Sequence, residues 1–240
     1  MVILKRNQVV TDNKIITETI SIRLDETKQI PAAMIFPEDH GERKSIAIIL
    51  AHGAENDMNH PLLVSVAHGL AQAGCLALRF NFPYRNEGRK SPDSQKTLIR
   101  TWQSVCRFLK EGSGYRVDTL IAAGKSMGGR VASQMASEGL LPADRLIFLG
   151  YPLHAPGNKV KLRDEHLYRI TIPMLFFAGT RDPLCDLILL RKVLSRLQAP
   201  WELEVIEGGD HSLHPLKEAG IPQQDIYEVL LRKIKNWLRV

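Results

Sequence analysis

The sequence contains no stretch of about 18 apolar residues, so no membrane-spanning helix is expected, and Val2-Ile3-Leu4 is too short for the apolar region of a secretory leader. Its three cysteines, Cys75, Cys106 and Cys185, are odd in number, scattered and without CxxC spacing. That argues against a zinc site and fits a reducing compartment, so a soluble, cytoplasmic protein is expected. Runs of about five or six like charges are also missing. The formal net charge of +6 is dispersed along the chain and no nucleic-acid motif accompanies it, so no nucleic-acid partner is expected. There are no repeats or low-complexity segments, and nothing specifies an oligomeric state. With 240 residues, 44% of them hydrophobic and 24% charged, the chain can bury a substantial core. A single domain over 1–240 is expected, its core spanning about 14–238.

What the chain does have is a regular exchange of strand-like and helix-like patterns. Segments 14–24 and 29–36 alternate β-branched with polar residues around Asp25-Glu26-Thr27-Lys28, which reads as a hairpin. Segment 45–51 is instead continuously apolar before His52-Gly53-Ala54, as in a strand buried on both faces that ends in a loop. Helix follows at 61–73, with Leu62, Leu63, Val66, Leu70 and Ala73 near helical spacing and Gly74 in the C-terminal position. A strand at 75–82, a polar loop at 83–92 and a helix at 97–110 come next, the last with Leu98, Trp102, Val105, Cys106 and Leu109 on one face. Further strands are read at 118–123, 144–150, 173–179 and 201–206, and helices after Ser126 and at 187–197 and 225–238. Trp102 and Trp201 are expected in the core. The last helix sets Ile226, Val229, Leu230, Ile234, Trp237 and Leu238 opposite Arg232, Lys233, Lys235 and Arg239. That is the pattern of a helix packed on its own domain rather than on a membrane.

A hairpin followed by repeated strand and helix units implies an α/β fold with a mostly parallel central sheet of about eight strands and helices on both faces. In such sheets, sites gather at the carboxyl ends of the strands. The residues that follow the strands are His52-Gly53-Ala54, 81–85, Ser126, Tyr151 onward, Arg181-Asp182, and Gly208-Gly209-Asp210-His211. One rim therefore collects a serine, an aspartate and a histidine.

Ser126 stands in Gly124-Lys125-Ser126-Met127-Gly128-Gly129, where a strand breaks sharply into a helix and presents the serine clear of the backbone. A serine hydroxyl is a weak nucleophile near neutral pH and needs a base, and the base needs an anion to fix its tautomer. His211, in a flexible glycine-containing loop, is the expected base, with His214 as the alternative. Asp182, ending a strand, is the expected acid, with Asp186 as the alternative. The oxyanion of an acyl intermediate requires two N–H donors, for which the backbone amides of Met127 and Ala54 are placed. His52 is expected to brace its loop, as are Asp57 and Asn59 unless they touch substrate, and Lys125 to brace the elbow.

The order serine, aspartate, histidine, together with HGA at 52–54, GKSMGG at 124–129, GTRDP at 179–183 and GGDHS at 208–212, resembles the α/β-hydrolase superfamily. Within it the chain is similar to the dienelactone-hydrolase-like branch that includes the testis-expressed and NSL-complex-subunit hydrolase-like proteins. Asp57-Met58-Asn59-His60-Pro61, Lys125, Met127, Tyr151-Pro152-Leu153-His154 and 162–167 carry that closer likeness. The resemblance implies an α/β-hydrolase fold and a serine hydrolase site on Ser126, Asp182 and His211. The expected chemistry is hydrolysis of a carboxylic ester or related acyl bond in a small-molecule substrate, through an acyl-enzyme and with no metal or organic cofactor. Two departures stand out: Ser126 occupies the position of the cysteine of dienelactone hydrolases proper, and Glu55 follows Ala54 where relatives often have glycine.

Between the strands ending near Gly150 and beginning near Pro173 there is no room for a large helical lid, so an open or lightly capped site is expected. Arg85 and Arg163 are candidate contacts for an anionic, carboxylate-bearing substrate. A reading from a different class, a non-catalytic interaction subunit on the same fold, stands beside the enzyme.

Overall fold

The computed structural model describes residues 7–10, 15–39 and 45–240, with side chains placed from Ile15 onward. Val2-Ile3-Leu4 and Lys14 lie outside the described residues. Nine strands form one sheet: β1 (Asn7–Val10), β2 (Ile15–Arg23), β3 (Gln29–Pro37), β4 (Ile46–Ala51), β5 (Leu76–Phe80), β6 (Thr119–Lys125), β7 (Arg145–Leu149), β8 (Met174–Gly179) and β9 (Trp201–Ile206). Their order is β1-β2-β3-β5-β4-β6-β7-β8-β9. The first three pair antiparallel with one another and β3 pairs antiparallel with β5, while β5-β4-β6-β7-β8-β9 run parallel. The strand beyond the expected eight is β1, which lines the edge of the hairpin.

The helices are α1 (Pro61–Gln72), α2 (Pro83–Asn86), α3 (Gln95–Arg107), α4 (Met127–Ser137), α5 (Leu187–Leu194) and α6 (Gln223–Leu238). The continuously apolar strands arise because each parallel strand must feed two helical layers. Along β4, Ala47, Ile49 and Ala51 pack with α3, α4 and α5, while Ile48 and Leu50 pack with α1 and α6. All five are fully buried, and each buried Ile or Leu contributes about 2 kcal/mol of transfer free energy. Trp102 is buried in the first layer, edge-on to Phe80. Trp201 is not a core residue: at the start of edge strand β9 it is 37% exposed, because β9 has a neighbour on one side only.

Local chemistry sets the ends of the elements. Asp25 accepts N–H bonds from Thr27 and Lys28 and closes the β2–β3 turn. Gly74 ends α1 at φ 91°, where a side chain would be strained. The loop expected at 83–92 opens with the single turn of α2, and α3 continues through a π-turn at Phe108–Gly112. The apolar side of the last helix packs on the domain: Ile226, Leu230, Ile234 and Leu238 are buried, and the Arg145 guanidinium lies 5.1 Å from the Trp237 ring. No helix among the described residues is long and apolar enough to cross a membrane.

The chain runs outward from β4 in both directions, to β5 on one side and β6 on the other. This reversal opens a crevice at the carboxyl ends of β4 and β6. The β7–β8 connection contains no α-helix, only a 3₁₀ turn at Leu167–Arg169 and a small bridge between Ala155 and Asn158, so the crevice carries no helical lid.

Candidate active site

Ser126 leaves β6 and enters α4 with φ 48° and ψ −112°, a strained conformation for a residue with a side chain. The strain is imposed by close packing around the turn. A Cβ on Gly128 would collide with Ala51 and with the carbonyl of His52, and one on Gly129 would strike the Gly124 carbonyl. Only glycines let the first turn of α4 lie this close to β4 and β6. The same approach brings the loop after β4 to the serine: a Cβ placed on Gly53 would lie 3.5 Å from Ser126 Cβ.

His211 arrives from the loop after β9 and stands with Nε2 2.8 Å from Ser126 Oγ. Its Nδ1 lies 2.8 Å from Asp182 Oδ2 and 3.0 Å from Oδ1. The Asp182 carboxylate is buried, and Oδ1 also accepts the Leu184 N–H at 2.8 Å. A carboxylate can only accept, so Nδ1 carries the ring proton and Nε2 is left as an acceptor for the serine O–H. Gly179 and Gly150 make room for this loop, since a Cβ on either would strike the backbone at Gly209 or His211 respectively. Residues 29 and 85 positions apart are thereby joined in one hydrogen-bonded line.

The alternatives to these residues have other partners. Asp186 is the N-cap of α5, accepting from Ile188 and Leu189, and pairs with Lys159 at 2.7 Å. His214 is half exposed, 3.6 Å from Asp210. Met127 is the first residue of α4, and Ala54 sits in the loop beside Ser126. Among the described residues neither amide donates a hydrogen bond.

The loop at 52–60 is tightly braced. His52 is fully buried; Nδ1–H donates to the Gly53 carbonyl at 2.7 Å and Nε2 accepts from Phe82 N–H at 3.1 Å. Burial, and then neighbouring cations, pull its pKa down to about 4, so it is a neutral strut rather than a base. Tyr84 donates to the Ala54 carbonyl at 2.7 Å, Asn81 accepts the Met58 N–H, and Arg79 donates to the Met58 carbonyl. Asp57 accepts from Asn59 N–H within the loop. Lys125, 3% exposed, faces Asp210, Asp182 and Glu55, and burial lowers its pKa.

The two arginine candidates differ. Arg85 Nε is buried without a hydrogen-bond partner among the described residues, and its charge is felt at His52. Arg163 is a brace: its guanidinium donates to the carbonyls of Pro152 at 3.2 Å and His154 at 3.5 Å.

A second serine–histidine pair, Ser133 and His166 at 2.8 Å, has the opposite polarity. Ser133 donates its proton to the Arg130 carbonyl and Tyr151 donates to Arg163 O at 2.6 Å, so His166 Nε2–H is the donor to both hydroxyl oxygens. Ser133 is also fully buried. This pair is a structural tie between α4 and the β7–β8 connection. Sequence patterning gave no hint of it, or of Tyr84 and Arg79, because isolated polar residues in irregular segments have no period.

The sheet order, the strained serine turn and the loops gathered on one rim define an α/β-hydrolase. The alpha/beta hydrolase domain family model matches residues 44–239, and the chain belongs to that family. The probable 2-oxo-3-(5-oxofuran-2-ylidene)propanoate lactonase of a Bradyrhizobium species is 25% identical over 206 residues, covering 78% of this chain and 75% of its own. Dienelactone hydrolase from Anabaena variabilis superposes with a TM-score of 0.72 at 16% identity, covering 98% of both chains. A serine hydrolase without lid from Xanthomonas campestris gives 0.70 at 19% identity, over 95% of this chain and 97% of that one. Both likenesses are of fold.

Proposed function

We propose that the chain is a serine hydrolase that cleaves a carboxylic ester or lactone in a small molecule through an acyl-enzyme. The observation that carries this is the line Ser126–His211–Asp182, with Nε2 2.8 Å from the hydroxyl and the carboxylate on Nδ1. As the Ser126 oxygen attacks the acyl carbon, His211 Nε2 takes its proton, and Asp182 holds the ring and stabilises the imidazolium. The carbonyl oxygen becomes an anion, which the Ala54 and Met127 amides receive; Met127 adds the positive end of the α4 dipole. His211 then returns the proton to the leaving oxygen. Water, deprotonated by the same nitrogen, attacks the acyl-serine and releases the acid.

The substrate reading is a carboxylate-bearing ester or lactone of modest size. The Bradyrhizobium relative is named for a lactone that carries a propanoate. Here a matching cation is Arg85, in the single turn of α2 that follows β5, with a buried Nε that lacks a partner among the described residues. The rim without a helical lid suits a small soluble substrate rather than an aggregated lipid.

Hydrolysis of neutral short-chain p-nitrophenyl esters and of carboxylated esters and lactones, by wild type and by Ser126→Ala, tests the reading. The expected result is turnover by wild type only, with preference for the carboxylated compounds lost in Arg85→Gln. Folded wild-type protein inert toward every member of the panel overturns the enzyme and leaves the interaction-subunit reading. Turnover without preference for the anion removes the carboxylate from the substrate class.

A further inference from the structure

Asp182 does not sit on a strand. It lies in the turn between β8 and α5, and its aim at His211 depends on how that turn is held. Besides the exposed Lys159–Asp186 pair, the turn is gripped by His154, a buried residue from the connection after β7. His154 N–H donates to Leu184 O at 3.0 Å, and its Nε2 accepts Asp186 N–H at 3.0 Å. The remaining ring nitrogen, Nδ1–H, donates to Ala155 O at 3.0 Å, which fixes the tautomer that leaves Nε2 as an acceptor. The side chain is 1% exposed, so no water replaces either bond without a rearrangement. Leu184, held through its carbonyl, is the same residue whose N–H orients Asp182 Oδ1 at 2.8 Å.

The grip is itself anchored. Arg163 donates to the carbonyls on both sides of Leu153 and its own N–H donates to Leu153 O. Tyr151 donates to Arg163 O, and His166 ties Tyr151 to Ser133 on α4. A part-buried polar line thus runs from the helix that begins at the nucleophile to the turn that carries the acid. From this geometry we propose that His154 is a positioning residue: it holds the 182–186 turn so that the Asp182 carboxylate meets His211 Nδ1. The role of the aspartate rests on the serine hydrolase reading above. The clamp itself is a property of the fold.

Gln places its Oε1 where the His Nε2 lies and can still accept from Asp186 N–H. Asn keeps a donor for Ala155 O but is too short to reach Asp186. Leu keeps bulk and makes neither bond. The readouts are kcat and KM on a p-nitrophenyl ester the wild type cleaves, normalised to sites titrated by a fluorophosphonate, and the downfield proton resonance of the His211 Nδ1–H···Asp182 bond. The expected order is His154→Gln within about threefold of wild type, and His154→Asn and His154→Leu down by about tenfold or more in kcat with KM within about twofold. The downfield resonance shifts or broadens in the latter pair only. Asn provides the reading if Leu does not fold.

Wild-type kcat per titrated site and an intact resonance in folded Asn or Leu variants would overturn the proposal and make His154 a stability residue alone. If wild type neither labels nor turns over, the catalytic reading fails. The resonance then decides the clamp by itself, its retention in folded Asn or Leu variants overturning it and its loss supporting it.

Discussion

Gly124 and Gly129 face each other backbone to backbone across the elbow, so that a Cβ added to Gly124 would fall on the Gly129 nitrogen. The approach is equally close from the other side, since a Cβ added to Gly129 would strike the Gly124 carbonyl and crowd Phe148. Gly124→Ala is therefore expected to cost about 3 kcal/mol or more, the upper end of overpacking penalties. Gly139 offers the contrast: its φ is 69° but nothing lies within 4 Å of an added Cβ. Gly139→Ala is expected to cost only the left-handed backbone strain, about 1 kcal/mol. Urea unfolding of the two variants checks this, and equal costs would contradict it.

Stability is expected to depend on pH through three histidines, His52 buried and His60 and His166 part-buried. Burial, aided by nearby cations, pulls His52, His60 and His166 down from 6.5 to about 4. Once unfolded, they protonate at their ordinary value, so between about 6.5 and about 4 the unfolded chain binds more protons than the folded one. Their contribution is complete above that window and is lost as the pH falls through it. The urea midpoint is expected to be level from about pH 7 upward and to drop toward about pH 4.5, with a shallower drop in a folded His166→Gln variant. A midpoint flat across this range would contradict the assignment.

The three cysteines should be chemically silent. All are buried, and burial pushes Cys75 to about 11 and Cys106 and Cys185 to about 12. Since the thiolate is the reactive form, a thiol reagent at neutral pH is expected to modify none in the native state and all three after denaturation. Fast modification of any one in native protein would contradict this burial.

Replacing Asp182 by Asn should leave the fold in place and lower kcat by about 10⁴-fold, because an amide can present a donor to Nδ1 and favour the wrong tautomer. His214→Gln, by contrast, should stay within about twofold of wild type, since His214 is half exposed and, among the described residues, bonded only toward Asp210. Steady-state kinetics on one ester separates the two. Equal losses would shift the base or acid to other residues.

How much of this was legible in the sequence depended on whether a feature had a period or a place in a repeat. The parallel strands were readable because both faces are buried, as in the apolar run of β4. Once they were in order, Ser126, Asp182 and His211 fell on one rim. Trp201 was misplaced because apolarity does not reveal that β9 is an edge. The bonds that hold the rim together were not readable: Tyr151, His154 and the segment with His166 carried a family likeness, but they and Tyr84 are single polar side chains whose partners follow no sequence period. Arg163, a candidate substrate contact by its charge and position, serves carbonyls of its own segment. Charge and rim position alone could not separate it from Arg85.

The central claim is that Ser126 is a nucleophile activated by His211. Its most direct measurement is covalent labelling by a fluorophosphonate probe, followed by mass spectrometric mapping of the adduct, in wild type, Ser126→Ala and His211→Gln. The account predicts a single adduct on Ser126 in wild type, none in Ser126→Ala, and labelling slowed by about 10³-fold or more in His211→Gln. Folded wild-type protein that takes no label, or equal labelling in Ser126→Ala, would contradict it.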